Sequence, residues 1–146
     1  VFDAPGFTLM NTGNADMTVT GGTVKCGGIK TGYALMAAGS AAKLTVSGGD
    51  IEAIQSIGGA QVNISGGSVY CEGVYYALYN GGGNTSISGG YFYSPTGKNI
   101  YVASGTVKTT GGYFSDKSAP LESGYKFQDI SVTENGNQYN YQVVSE

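Results

Sequence analysis

Carboxylates are the first side chains here that suggest chemistry, because closely spaced acids can bind calcium. Asp50 and Glu52 lie two residues apart, so both would leave the same face of one strand. Together they would supply part of the roughly six to eight oxygens that Ca²⁺ requires. The alternative is a solvated acidic surface with Lys25 beside Glu52 on the next strand, where an exposed ion pair contributes about 0–1 kcal/mol. Asp50 and Glu52 are therefore candidate metal ligands of low specificity, and we predict that the chain carries no metal or other cofactor.

The two cysteines, Cys26 and Cys71, would form a disulfide in many secreted proteins. Each follows a Gly-Gly pair at the same offset, so they occupy equivalent positions two strands apart, with Ala53 at the level between them. Two strand spacings are about 9.6 Å, whereas a disulfide needs Cα atoms within about 7 Å. We predict two buried, unbonded thiols that pack as small hydrophobic side chains.

Tyrosine is the third residue type of interest, because its ring stacks on sugars and its hydroxyl forms hydrogen bonds. Several tyrosines fall at positions predicted to face outward on the strands that follow Gly-Gly pairs. Exposed together, their rings would form a carbohydrate-binding surface. The alternative is that they stack on one another and stiffen the sheet. The candidate ligand-binding residues are Tyr70, Tyr91, Tyr93 and Tyr113, whereas Tyr75, Tyr76, Tyr79 and Tyr101 are placed in nearby turns or in a third column of strands.

A repeat built around Gly-Gly pairs must position these side chains. The first glycines of the pairs are residues 21, 48, 66, 89 and 111, which are 18 to 27 residues apart. Apolar residues recur two and four positions before the pairs and two positions after them, with Thr85 and Thr109 as the exceptions, and polar residues lie between them, as in short strands. A third apolar stretch separates several copies, as at Ala34–Met36 and Ile100–Val102. The copies are Met17–Gly22, Leu44–Gly49, Val62–Gly67, Thr85–Gly90 and Val107–Gly112.

Three short strands in about 22 residues are typical of one rung of a parallel β-helix. Each rung would pair with the next at about 4.8 Å, and the inward residues would stack into a continuous core. The Gly-Gly pair would supply the bend, because glycine reaches positive φ without steric cost. An antiparallel β-sandwich also has regularly spaced strands, but it gives no reason for aligned columns at this interval. We predict an all-β fold, a right-handed parallel β-helix of about five rungs.

The repeat fades after Phe114. Two segments then alternate as strands, Tyr125–Thr133 and Tyr139–Val144, and they flank Asn135-Gly136, a dipeptide typical of hairpin turns. We predict that residues 1–114 form the rungs and that residues 115–146 form a loop and a C-terminal hairpin cap over exposed strand edges, in the same single domain.

Composition narrows the classes of function. The chain has 146 residues, 12% of them charged, and a net charge of −3 without any arginine. Nucleic-acid binding requires a cluster of positive charge, so we predict no nucleic-acid partner. No apolar run approaches the ~20 residues of a membrane helix, so we predict no membrane insertion.

The pattern of strand, Gly-Gly and strand resembles the right-handed β-helix superfamily that includes pectate lyases, and more closely the repeat regions of bacterial surface proteins. The copy at Asn63–Val69 (NISGGSV) carries this resemblance. The run Gly111–Asp116 followed by Gly124-Tyr125 is similar to the segment that closes such repeats. The resemblance covers about residues 7 to 127 and implies a fold that hosts lyases, hydrolases, adhesins and carbohydrate-binding modules alike.

Enzymes of that superfamily use a basic residue near acidic calcium ligands, or clustered aspartates. This chain has neither Arg nor His, and its aspartates are spread along the sequence, so we predict that it is not an enzyme. We expect a structural or adhesive module of a longer bacterial protein, extracellular or on the cell surface. The alternatives are a carbohydrate-binding module for polysaccharide or host glycan, or a partial polysaccharide lyase. The aspartates are Asp3, Asp16, Asp50, Asp116 and Asp129.

Overall fold

The computed structural model describes residues 1–3, 8–27, 32–72, 75–95 and 98–146. It is an all-β parallel solenoid of about four turns, slightly fewer than the five predicted rungs, and the described residues contain no helix. The predicted fold class is thus confirmed at this level, and the antiparallel sandwich is excluded because consecutive rungs pair in parallel. No described helix could span a bilayer.

The strands form three faces along the solenoid axis. The first face holds β2 (Leu9–Thr12), β5 (Leu35–Ala38), β8 (Ile54–Ile57) and the first parts of β11 (Leu78–Ile87) and β13 (Ile100–Thr109). The second face holds β3 (Asp16–Val19), β6 (Lys43–Val46), β9 (Gln61–Ile64) and the second parts of β11 and β13. The third face holds β1 (Phe2–Asp3), β4 (Thr23–Lys25), β7 (Asp50–Glu52), β10 (Ser68–Tyr70), β12 (Tyr91–Tyr93) and β14 (Tyr113–Phe114).

Apolar side chains stack inside the solenoid in the predicted columns, and the second face has two of them. On the second face Ile64 pairs in register with Val46 on one side and Ile87 on the other, and all three are at most 1% exposed. The apolar stretch that separates the copies in the sequence, as at Ala34–Met36, forms the strands of the first face. The inward columns run Leu9, Leu35, Ile54, Leu78 and Ile100 on the first face, and Val24, Ile51, Val69, Phe92 and Phe114 on the third.

The two glycines of each pair have different structural roles. The second glycine has positive φ, for example 85° at Gly67, as the sequence predicted for the bend. The first glycine is required for another reason: a Cβ at Gly66 would run into the backbone carbonyl oxygen of Ser47 in the preceding rung. The same collision with the preceding rung would occur at Gly48, Gly89 and Gly111.

The predicted C-terminal hairpin is present. It consists of β15 (Tyr125–Glu134) and β16 (Asn137–Ser145), joined at Asn135 and Gly136 with φ of 51° and 77°. Two successive residues with positive φ match the twist of a two-residue hairpin turn. Strand β16 pairs antiparallel with β14, so the hairpin covers the last strand edge of the third face.

Core columns should carry most of the stability. Ile64→Ala removes a buried side chain held between Val46 and Ile87, and should lower the free energy of unfolding by about 2–5 kcal/mol. Asn63→Ala, at the exposed neighbouring position, should cost far less. Urea titration of both variants measures this, and equal losses would contradict the inward and outward assignment.

The glycine contacts predict a matched pair of variants. Gly66→Ala should lower the free energy of unfolding by about 1–3 kcal/mol or more, because backbone must move to admit the methyl group. Gly21→Ala, at the equivalent position, should be neutral or slightly stabilising, since no atom lies within 4 Å of a Cβ there and its φ is ordinary. Similar melting temperatures for the two variants would show that packing between rungs does not require the first glycine.

Candidate functional site

Third-face strands bring the predicted tyrosines together. Tyr70 pairs in register with Tyr93, and Tyr91 with Tyr113. The rings of Tyr91 and Tyr113 stack with centroids 4.7 Å apart and an interplanar angle of 11°. The alternation of inward and outward residues therefore places all four candidates on one outer surface, as the sequence predicted.

The same four side chains are half-buried, whereas the sequence predicted exposed rings. Tyr139 of β16, a residue that is itself 1% exposed, covers two of them. Its ring meets Tyr91 edge-on at 5.2 Å and Tyr93 at 6.3 Å between centroids. Stacking within the sheet and coverage by the hairpin thus both occur at these residues.

The side chain of Asn135 joins the tip of the hairpin to the third face by hydrogen bonds. The amide nitrogen Nδ2 of Asn135 donates hydrogen bonds to Oδ1 of Asp50 at 3.2 Å and to Oγ of Ser68 at 3.4 Å. Asp50 and Ser68 are register partners on adjacent strands. The hairpin therefore turns back across the outer surface of earlier rungs instead of extending away from the solenoid.

Two grooves lie beside this contact. The larger, about 610 Å³, includes Tyr70, Tyr93 and the polar side chains of Ser68, Asn135 and Asn137. Its charged lining residues are Lys25, Asp50 and Glu72, so acidic groups outnumber basic ones. The smaller groove, about 420 Å³, is lined by Tyr91, Glu134 and the glycines of the Gly-Gly bends. Tyr113 lines neither groove, and Nε2 of Gln142 donates a hydrogen bond to its hydroxyl at 3.3 Å.

The two candidate metal ligands have different surroundings. Glu52 is only 5% exposed, and its Oε2 accepts a hydrogen bond from the backbone N–H of Cys26 at 2.9 Å. The prediction of a solvated acidic surface is therefore wrong for Glu52, whereas Asp50 lies at the groove and binds Asn135. Within the described ranges no group of three or more potential metal-ligating side chains occurs, and no ion pair joins Lys25 to Glu52.

Both cysteines are buried and neither forms a disulfide, as predicted. Burial, followed by the negative charge of Glu52, raises the pKa of the Cys26 thiol to about 12. The thiolate is the reactive form of cysteine, so this environment makes Cys26 a packing residue and a poor nucleophile.

Burial and nearby carboxylates also affect the phenols at the hairpin. The pKa of Tyr70 rises to about 12, first through burial and then through Glu52, Glu72 and Asp50. The pKa of Tyr139 rises to about 12 as well, again chiefly through burial. Both hydroxyls therefore stay protonated near neutral pH and can donate hydrogen bonds.

A second group of tyrosines was not recognised as a site in the sequence. It lies on the outside of the first face, where Tyr79 and Tyr101 are register partners. The pattern offered a signal, because each of these residues directly follows an inward residue of the repeat, Leu78 or Ile100. We call it the first-face tyrosine cluster, and its rings form a connected chain of contacts through Tyr33, Tyr75, Tyr76, Tyr79 and Tyr101.

Comparisons with models of protein families, with curated proteins and with solved structures give no match. A proposal for function must therefore be based on the geometry and chemistry of this chain.

The raised phenol pKa values predict a loss of stability in alkali. Unfolded chains release the tyrosine proton at the ordinary pKa of 10.0, whereas the folded chain holds it on Tyr70 and Tyr139 until about 12. The unfolded state then binds fewer protons, so the free energy of unfolding should fall as pH rises between these values. The double variant Tyr70→Phe/Tyr139→Phe should show a shallower decline in denaturant titrations. A slope equal to that of the parent chain would contradict this origin of the alkaline loss.

Proposed function

We propose that this chain is a non-catalytic structural or adhesive module of a bacterial protein, extracellular or on the cell surface. The supporting observation is that outward side chains recur in straight columns on hydrogen-bonded rungs, such as the exposed Thr18, Thr45, Asn63 and Ser86 on the second face. A rigid scaffold of this kind presents aromatic and polar groups at intervals of about 4.8 Å, which suits adhesion to an extended partner.

We further propose that the solenoid coils right-handedly and is related to the pectate-lyase-like β-helices. The handedness is favoured because crossover connections between parallel strands are right-handed in about 98% of cases. The pattern of strand, Gly-Gly and strand is the feature in which it resembles repeat regions of bacterial surface proteins. Fold relationship alone does not imply a lyase activity.

A specific observation also favours carbohydrate as the ligand. The larger groove combines the rings of Tyr70 and Tyr93 with the amides of Asn135 and Asn137 and the hydroxyl of Ser68. Aromatic surface bordered by several neutral hydrogen-bonding groups suits a sugar ring. Because Asp50 and Glu72 outnumber Lys25, the groove should prefer positively charged amino sugars to polyuronates, the substrates expected of a partial lyase.

Retention in native gels that contain polysaccharide tests the groove. Tyr70→Ala/Tyr93→Ala should lose retention of the chain by chitosan, a polymer of an amino sugar, because both rings line the groove. Tyr113→Ala is the matched control, since that residue is also a third-face tyrosine but lies outside both grooves. A chelator should have no effect. Retention that survives the double substitution would reject the groove as the binding site.

Catalysis is tested on the same chain. Incubation with polygalacturonate and calcium should release no unsaturated uronate ends, as followed by ultraviolet absorbance. Sustained product formation that disappears in a Lys25→Ala variant would contradict the proposal of a non-catalytic module.

A further inference from the structure

The first-face tyrosine cluster is a connected aromatic surface, separate from the grooves at the hairpin. Tyr76 and Tyr101 stack with centroids 4.4 Å apart and an interplanar angle of 12°, and Tyr79 lies 5.7 Å from Tyr101. Tyr33 reaches Tyr79 at 5.8 Å. Tyr75, which is 42% exposed, continues the surface outward from Tyr76.

Buried asparagines beneath the cluster fix its backbone. Asn80, next to Tyr79, is fully buried and its Nδ2 donates to the carbonyl oxygens of Gly83 at 2.8 Å and Ser104 at 2.9 Å. Asn99, two residues before Tyr101, accepts backbone N–H bonds from the C-terminal loop at 2.9 and 3.0 Å. The tyrosines are therefore positioned by the hydrogen bonds that hold the bends of the solenoid.

The absence of a side chain at Gly81 leaves room for the Tyr79 ring to pack against the strands. A Cβ at Gly81 would lie 2.6 Å from Cε1 of Tyr79 and 3.2 Å from a methyl group of Ile57. The ring thus occupies the space that a side chain at position 81 would need. Packing of this kind limits the motion of the ring, which reduces the entropy that binding would otherwise cost.

The column of outward strand positions continues along the solenoid without charge. Tyr101 and Tyr79 are followed in register by Gln55, Met36 and Met10, of which Met36 is buried and Met10 is 51% exposed. The second outward position on each first-face strand is also uncharged. Those residues are Thr12, Ala38, Ile57, Gly81 and Ser104.

Electrostatics distinguish this surface from the groove. Burial raises the pKa of Tyr33, and the other contributions come from Cys71 and from tyrosines of the cluster, with no aspartate or glutamate among them. The pKa of Tyr70, in contrast, is raised first by burial and then by the carboxylates of Glu52, Glu72 and Asp50. A ligand on the first face therefore meets aromatic rings, phenol hydroxyls and one amide, and no carboxylate on the described strands.

We propose that the first face binds a neutral polysaccharide chain that lies along the solenoid axis across the first-face tyrosine cluster. Ring surfaces contact the C–H groups of the sugars, and phenol hydroxyls together with the Gln55 amide bind sugar hydroxyls. An uncharged surface matches an uncharged polymer, because no charged group on either side has to be desolvated without a partner. This inference rests on the proposed adhesive function, but it uses a different surface from the groove.

Affinity electrophoresis with four neutral polymers tests it: hydroxyethyl cellulose, xyloglucan, galactomannan and mixed-linkage β-glucan, with polygalacturonate as the charged comparison. The chain should be retarded by at least one neutral polymer and not by polygalacturonate. Tyr76→Ala/Tyr101→Ala should raise Kd by about tenfold or more, since it removes two stacked rings. Tyr75→Ala, in the loop before β11, should weaken binding with an unchanged melting temperature, which separates loss of the site from loss of the fold.

Tyr70→Ala/Tyr93→Ala is the matched control: it should lose retention by chitosan, which the groove binds, and keep the retardation by that neutral polymer. Retardation that is lost in this control but kept in Tyr76→Ala/Tyr101→Ala would overturn the inference and leave the groove as the binding site. Absence of retardation by all four neutral polymers would overturn it as well. If sedimentation then showed a dimer that Tyr76→Ala/Tyr101→Ala abolishes, the first face would be an interface between two copies of the chain.

Discussion

The close approach of each rung to the glycine of the next is the constraint on which the structure depends. Backbone N–H groups on both sides of the bend bind carbonyls of the preceding rung, as from Ser65 to Val46 and from Ser68 to Gly49, each at 2.8 Å. At Gly66, between them, the two backbones come so close that no Cβ fits. Any larger residue there would separate the rungs, so the short contact keeps inward and outward columns aligned.

Alignment of the columns gives the molecule two tyrosine surfaces with opposite surroundings. On the third face the rings lie beneath Tyr139 and near carboxylates, and the hairpin held by Asn135 leaves only grooves open. On the first face Tyr79 and Tyr101 lie among uncharged outward positions, with Tyr75 exposed beside them. The scaffold is the same for both surfaces. The difference arises from the hairpin and the carboxylates at the third face.

Local and periodic features of the sequence predicted the columns and the hairpin, because alternation along Val62–Ile64 and the dipeptide Asn135-Gly136 act over short range. The return of the hairpin across the third face was not predictable in this way. Its contact between Asn135 and Asp50 joins residues far apart in the sequence, and no repeat marks it. The first-face tyrosine cluster was missed for a similar reason, since Tyr33 and Tyr76 come from connections outside the aligned repeat.

The fit between successive Gly-Gly bends has an evolutionary consequence. The first glycine of each bend packs against a backbone carbonyl of the preceding rung, as Gly66 packs against Ser47. The same rung presents a carbonyl of its own to the first glycine of the following rung. Duplication of the coding segment for one rung would therefore insert a unit that already matches both neighbours. The column would grow by about 4.8 Å, and recognition surfaces could lengthen or diversify by gene duplication without the invention of a new interface.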